Sequence, residues 1–263
     1  MSNDSFDWLS RRRFLAVAAA TAAATAATGA CASSGAKPAV NPSVVSGRYN
    51  GMAGQGGVVL FQGDSVTDNG RNRTAAGANN AGALGNGYPL MVAAGVMRDD
   101  PHSPWQFFNR GVSGNKIPDL GARWDADALA LKPDVLSLLI GINDYWHTKT
   151  HGYKGTTAEF ESGLGALLTR TRSALPSVRL VLMEPFVLKI GAVDDSWFPA
   201  FDERRAIVAR VASNAGATFV SLQSTFDRVA KATGASHWAA DGVHPTPAGH
   251  ALIAQRWLES VKL

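Results

Sequence analysis

Cysteine is almost absent from this chain. Cys31 stands alone among 263 residues, so no intramolecular disulfide framework is available. Charge is sparse as well, at 17% of residues, and the formal net charge of +4 includes Arg11, Arg12 and Arg13. What remains is mildly basic, with no Lys/Arg cluster interleaved with aromatics, which argues against a nucleic-acid partner. No Gly-x-Gly-x-x-Gly follows a strand-like run, so a dinucleotide site is not expected. The chain does have 46% hydrophobic residues with Gly and Pro scattered along it, a globular profile with enough length for one well-filled domain.

Residues 1–31 read as an address. Ser10-Arg11-Arg12-Arg13-Phe14-Leu15 opens into an alanine-rich apolar run ending near Ala27, which is the layout of a twin-arginine export signal. That run is too short and too rich in alanine for a membrane span. Two exits stay open. Thr28-Gly29-Ala30-Cys31 resembles a lipoprotein box that would leave a lipid on Cys31 and a membrane tether, and Ala30-Cys31-Ala32 equally fits ordinary cleavage. Either places the mature protein in the periplasm or outside the cell. Residues 32–57, rich in Ser, Gly, Pro and Asn, read as a linker and entry loop, and 58–263 as the working domain.

Within that domain, short apolar runs alternate with helix-length amphipathic segments. Val58–Phe61, Gln106–Phe108, Val135–Ile140, Leu180–Met183 and Thr218–Val220 read as buried strands. Tyr88–Met97, Ile117–Leu131, Thr157–Ser173, Pro199–Asn214 and Pro247–Val261 read as helices. Such alternation predicts an α/β domain, a five-stranded parallel sheet with helices on both faces. Chemistry in such sheets collects where loops leave the carboxyl ends of strands. Gly63-Asp64-Ser65, Gly111–Asn115 and Gly141-Ile142-Asn143-Asp144 fall at such ends, and Asp241-Gly242-Val243-His244 precedes the last helix.

Those four loops hold the parts of a nucleophilic site. Ser65 needs a base to take its proton, and His244 supplies one. Asp241, three residues earlier, is spaced to hold the imidazole in the working tautomer. The backbone N–H groups of Ser65 and Gly114 and the side-chain amide of Asn143 are candidate donors to an oxyanion. Such chemistry calls for neither metal nor cofactor. A metal alternative rests on His147 and His151, but Thr148-Lys149-Thr150 and Gly152 between and after them read as loop, which would keep the rings apart.

Taken together, these blocks resemble the SGNH (GDSL-type) hydrolases over roughly Val58 to Leu263, with Val66 in place of the usual Leu or Ile after the serine. The resemblance implies a three-layer, flavodoxin-like α/β/α fold and the roles just given to Ser65, Gly114, Asn143, Asp241 and His244. The absence of any Gly-x-Ser-x-Gly elbow speaks against the larger α/β-hydrolase family. Longer stretches, such as Gly63–Arg71, Leu84–Tyr88, Ala122-Arg123-Trp124 and Ile140–Trp146, are similar to the bacterial acetylxylan esterase branch. That similarity implies deacetylation of xylan or xylo-oligosaccharides. Asp64, Arg71, Tyr145, Trp146 and Trp238 are the candidate substrate contacts, the aromatics because their faces suit stacking on sugar rings. A general short-chain carboxylesterase, a lysophospholipase- or thioesterase-like enzyme, and a non-catalytic carbohydrate-binding lipoprotein are the alternatives.

Overall fold

A strand whose both faces are apolar must be covered above and below, and the runs read from the sequence meet that requirement. The computed structural model describes residues 55–263. The leader, Cys31 and nearly all of the linker lie outside the described residues. Five strands, β1 (Gly57–Gly63), β2 (Trp105–Asn109), β3 (Val135–Leu139), β4 (Arg179–Met183) and β5 (Thr218–Val220), form one parallel sheet in the order β2-β1-β3-β4-β5. The order reverses at β1 and β3, so their carboxyl ends flank the crevice where sites form in such sheets.

Side chains alternate along each strand. Val59, Phe61, Val135, Leu139, Val181 and Met183 face one layer, and Leu60, Leu136, Leu138, Leu180 and Leu182 face the other. The first layer holds α3 (Tyr88–Asp99), α8 (Gln223–Thr233) and α9 (Pro247–Ser260), through residues such as Val92, Phe226 and Trp257. The second holds α4 (Ile117–Asp127), α6 (Thr157–Ala174) and α7 (Ala200–Asn214), through Leu120, Leu164 and Val208. The buried indole of each layer is paired. Trp257 Nε1 donates to Ser137 Oγ at 3.0 Å, and Trp124 Nε1 to Thr171 Oγ1 at 3.0 Å.

Two one-turn helices, α1 (Ser65–Asp68) and α2 (Ala81–Leu84), and α5 (Ile142–Thr150) complete the elements used below. Three local expectations need correction. The helix expected over Ile117–Leu131 ends at Asp127, with a tighter turn at Leu129–Leu131 and a left-handed Lys132 before Pro133. The segment through Thr150 is helix and not loop. Its poor helix formers Thr148 and Thr150 turn their hydroxyls back onto the carbonyls of Tyr145 and Trp146, at 2.7 and 3.0 Å. Finally, α8 has no counterpart among the expected helices, because its buried face is largely polar: Gln223, Thr225 and Phe226.

Candidate active site

Ser65 opens α1 directly after β1, and Asp64 forces that turn. The Asp64 Oδ1 caps the helix by accepting from Val66 N–H at 3.0 Å. The serine is left half-buried at the sheet edge. From 179 residues away, His244 meets it, with Ser65 Oγ 2.9 Å from His244 Nε2. His244 Nδ1 lies 2.7 Å from Asp241 Oδ2, while Asp241 Oδ1 accepts the N–H groups of Val243 and His244 at 2.9 and 2.7 Å. Burial raises the Asp241 carboxyl, but the bonds from His244 and Val243 outweigh it and hold the group below its ordinary value. An ionised carboxylate only accepts, so Nδ1 carries the imidazole proton and Nε2 is open to the serine O–H.

The loop that makes this possible is held from outside. Gly242 takes φ +89°, and a side chain there would sit 2.4 Å from the carbonyls of Leu188 and Ile190. Leu188 N–H donates to Gly242 O at 2.8 Å, Ala192 N–H to Asp241 O at 2.9 Å, and Ala240 N–H to His244 O at 2.9 Å. The His-Asp pair is therefore fixed by backbone on two sides.

The remaining candidate donors follow the strands on either side of β1. Gly114 (φ +82°) follows β2, and Asn143 occupies the first turn of α5 after β3. Asn143 Nδ2 gives one proton to Asn115 O at 3.1 Å, which orients the amide and leaves its other N–H unengaged. Among the described residues, no acceptor takes the N–H of Ser65 or of Gly114. Three donors, from the segments that follow the adjacent parallel strands β1, β2 and β3, are thus unengaged.

The expected substrate contacts divide. Trp146 is half-buried with its ring 5.9 Å from that of His244, so one aromatic does border the site. Tyr145 is not free to stack on a sugar. It is 8% exposed, its ring packs on Trp197 and Phe201 at 5.2 and 6.0 Å, and its hydroxyl donates to Ser196 O. Arg71 is likewise taken out of the substrate's reach: its side chain is 5% exposed, lies 3.8 Å from Asp68 Oδ1, and donates from Nε to Gly111 O at 2.7 Å. Asp64 is buried as the helix cap, so it is not a surface contact. Trp238 turns its Nε1 to Thr233 Oγ1 at the end of α8, at 2.7 Å, with its ring against His237. Because α5 is helical, His147 and His151 do come together, with ring centroids 4.4 Å apart. No third His, Cys, Asp or Glu joins them in a metal-binding group among the described residues.

Two buried carboxyls lie behind these loops. Burial pushes Asp64 up to about 7 against the hydrogen bond from Val66, and pushes Asp144 up to about 6 against the bond from Ile117 N–H. Each keeps one buried oxygen without a hydrogen-bond partner. The consequence for stability has a definite sign. Between about pH 4 and 7 the unfolded Asp64 carboxyl is ionised while the folded one keeps its proton, so stability falls as pH rises through that window. Asp64→Asn keeps the cap and removes the titration. Its unfolding midpoint should gain on the parent by several degrees more at about pH 8 than at about pH 5. A midpoint difference that is the same at both pH values counts against a raised Asp64.

Comparison with known proteins bears on this geometry. The sequence profile of the GDSL-like Lipase/Acylhydrolase family matches residues 61–252. An acetylxylan esterase from Geobacillus stearothermophilus is 35% identical over 215 residues, covering 79% of this chain and 95% of that protein. A crystal structure of an acetylxylan esterase from the same organism superposes with a TM-score of 0.73 at 33% identity, over 81% of this chain and 97% of the other. A candidate GDSL-like lipase from Parabacteroides merdae superposes with a TM-score of 0.77 at 46% identity, over 78% and 95% of the two chains.

Proposed function

The chain belongs to the GDSL-like lipase/acylhydrolase family and is a carboxylic ester hydrolase, and from that premise we propose that it removes acetyl groups from carbohydrate, with xylan or xylo-oligosaccharides as the substrate class. The observation that carries the mechanism is the unbroken chain Asp241–His244–Ser65 at the sheet edge where three donors are unengaged. His244 Nε2 takes the Ser65 proton as Oγ attacks the ester carbonyl. The Ser65 and Gly114 N–H groups and the Asn143 amide receive the oxyanion. The tetrahedral species collapses to an acetyl-serine as its bond to the sugar oxygen breaks, and His244 gives the proton to that oxygen, which leaves as a hydroxyl. Water, activated by the same imidazole, then releases acetate.

The carbohydrate half of the proposal draws on the similarity to the Geobacillus esterase and on Trp146 beside His244. A broader short-chain esterase is the second reading. It is favoured by the engagement of Tyr145, Arg71 and Trp238 elsewhere in the fold, which leaves fewer groups to grip a glycan. In either case the leader would deliver the enzyme outside the cytoplasm, where polymeric esters are met.

Acetate release from acetylated xylo-oligosaccharides, compared with turnover of p-nitrophenyl acetate and octanoate, separates the readings. Acetyl esters should give the higher kcat/KM. Trp146→Ala should cost the oligosaccharide roughly tenfold more than p-nitrophenyl acetate, about the value of one aromatic stacking contact. Equal losses on both would leave the short-chain esterase standing, and a preference for octanoate would overturn the carbohydrate proposal.

A further inference from the structure

The loop carrying Gly114 is shaped largely by a carboxylate from another element. Asp68 lies one turn after Ser65 in α1 and is 4% exposed. Its Oδ2 accepts the Ser113 N–H at 2.9 Å, the Ser113 O–H at 2.8 Å and the Arg73 guanidinium. Arg71 stands 3.8 Å from the other oxygen and ties the Gly111 carbonyl. Around it, Gly111 N–H donates to Asn109 Oδ1 at 2.8 Å, Val112 N–H to Gly63 O at 3.0 Å, and Asn115 N–H to Val112 O at 3.1 Å. Within Gly111–Asn115, among the described residues, the Gly114 N–H alone is left without an acceptor.

We infer that Asp68 is a positioning residue for ester hydrolysis: its carboxylate fixes the Ser113 peptide, and through it aims the Gly114 N–H at the oxyanion. The inference rests on the roles proposed above for Ser65 and Gly114. Ser65 and Asp68 share one face of a single helical turn, so nucleophile and loop anchor move as one body. Burial raises the Asp68 carboxyl, and the bonds from Arg73 and Ser113 more than offset it, so the group stays charged. A buried charge is tolerated only when its oxygens are well satisfied, and here two of the donors satisfying it, the N–H and O–H of Ser113, belong to the loop to be placed. The stake is large, because a misplacement of about 1 Å at a reacting centre costs on the order of 10²-fold in rate.

The test uses Asp68→Ala, Asp68→Asn and Ser113→Ala in the whole chain. Steady-state kinetics on p-nitrophenyl acetate are read beside the Ki of phenylboronic acid, whose tetrahedral adduct on serine places an oxygen where the oxyanion forms. Asp68→Ala should lower kcat about 10²-fold, leave KM within about threefold, and raise the boronate Ki in step with the loss of kcat. Asp68→Asn, which offers a neutral oxygen to the same donors, should recover part of both. Ser113→Ala should show a smaller parallel loss, and it carries the test if Asp68→Ala does not fold. A fall in kcat with the boronate Ki unchanged reports a smaller population of intact molecules and overturns the inference, as do variants with parental kinetics. A parent that neither hydrolyses the ester nor binds the boronate would refute the assignment of Ser65 instead.

Discussion

Ser65→Ala is expected to remove ester hydrolysis almost entirely, with kcat on p-nitrophenyl acetate falling by at least ~10⁴-fold. The size follows from what remains. Without Oγ no acyl-enzyme forms, and the donors of Gly114 and Asn143 are left to assist only the attack of water. The fold should hardly notice. Ser65 is half-buried, its hydroxyl bonds only to His244, and the cap of α1 is made by Asp64. The unfolding midpoint should therefore stay within a few degrees of the parent. A serine-directed fluorophosphonate should add mass to the parent and none to the variant. Residual turnover within tenfold of the parent would sink the assignment of Ser65, and an inactive parent would return the chain to the carbohydrate-binding alternative.

How far the sequence alone reaches depends on the kind of contact. The five strands are legible because each is a short run rich in apolar residues bounded by turn residues, with both faces buried in β3 and most of β1 and β4, and the four polar loops because each follows a strand or precedes the last helix. The pairing of Asp241 with His244 is also legible, since three residues around Gly242 close a tight loop whatever the rest of the chain does. Side-chain direction on α5 is not legible when the segment is taken for a loop. Once it is helix, Asn143, Trp146 and His147 at i, i+3 and i+4 share a face, and Tyr145 at i+2 must turn away into the core. Proximity in sequence to Asn143 therefore misdirects for Tyr145 and not for Trp146. Asp68 is hidden for a different reason: its partner Ser113 is 45 residues away, and only the parallel pairing of β1 with β2 brings them together. The i, i+3 relation of Ser65 to Asp68 is the one local signal that marks it.

Asp241→Asn should lower kcat by ~10³–10⁴-fold while leaving KM and the loop nearly intact, and the reason is in the hydrogen-bond directions. In the parent one oxygen accepts two backbone N–H groups, from Val243 and His244, and the other accepts the imidazole Nδ1–H. An amide has one oxygen. If that oxygen keeps the two backbone bonds, the NH₂ faces Nδ1, which must then be the acceptor, and the imidazole proton moves to Nε2. Ser65 then has no base. If the amide turns over to preserve the Nδ1–H bond, its NH₂ meets two backbone donors head-on, and both are left unpaired in a half-buried loop at ~1–3 kcal/mol each. The first arrangement is the cheaper for the fold, so the variant should melt close to the parent and yet be nearly inert. Asp241→Ala supplies the contrast. It frees the imidazole to choose its tautomer but strips both backbone N–H groups of their acceptor, so it should unfold several degrees lower than Asp241→Asn without a correspondingly greater loss of activity. A loss under tenfold for Asp241→Asn on p-nitrophenyl acetate would move the orienting role elsewhere. Asp64 could not take it up, because its bonded oxygen is committed to Val66 and burial keeps its carboxyl protonated up to about pH 7.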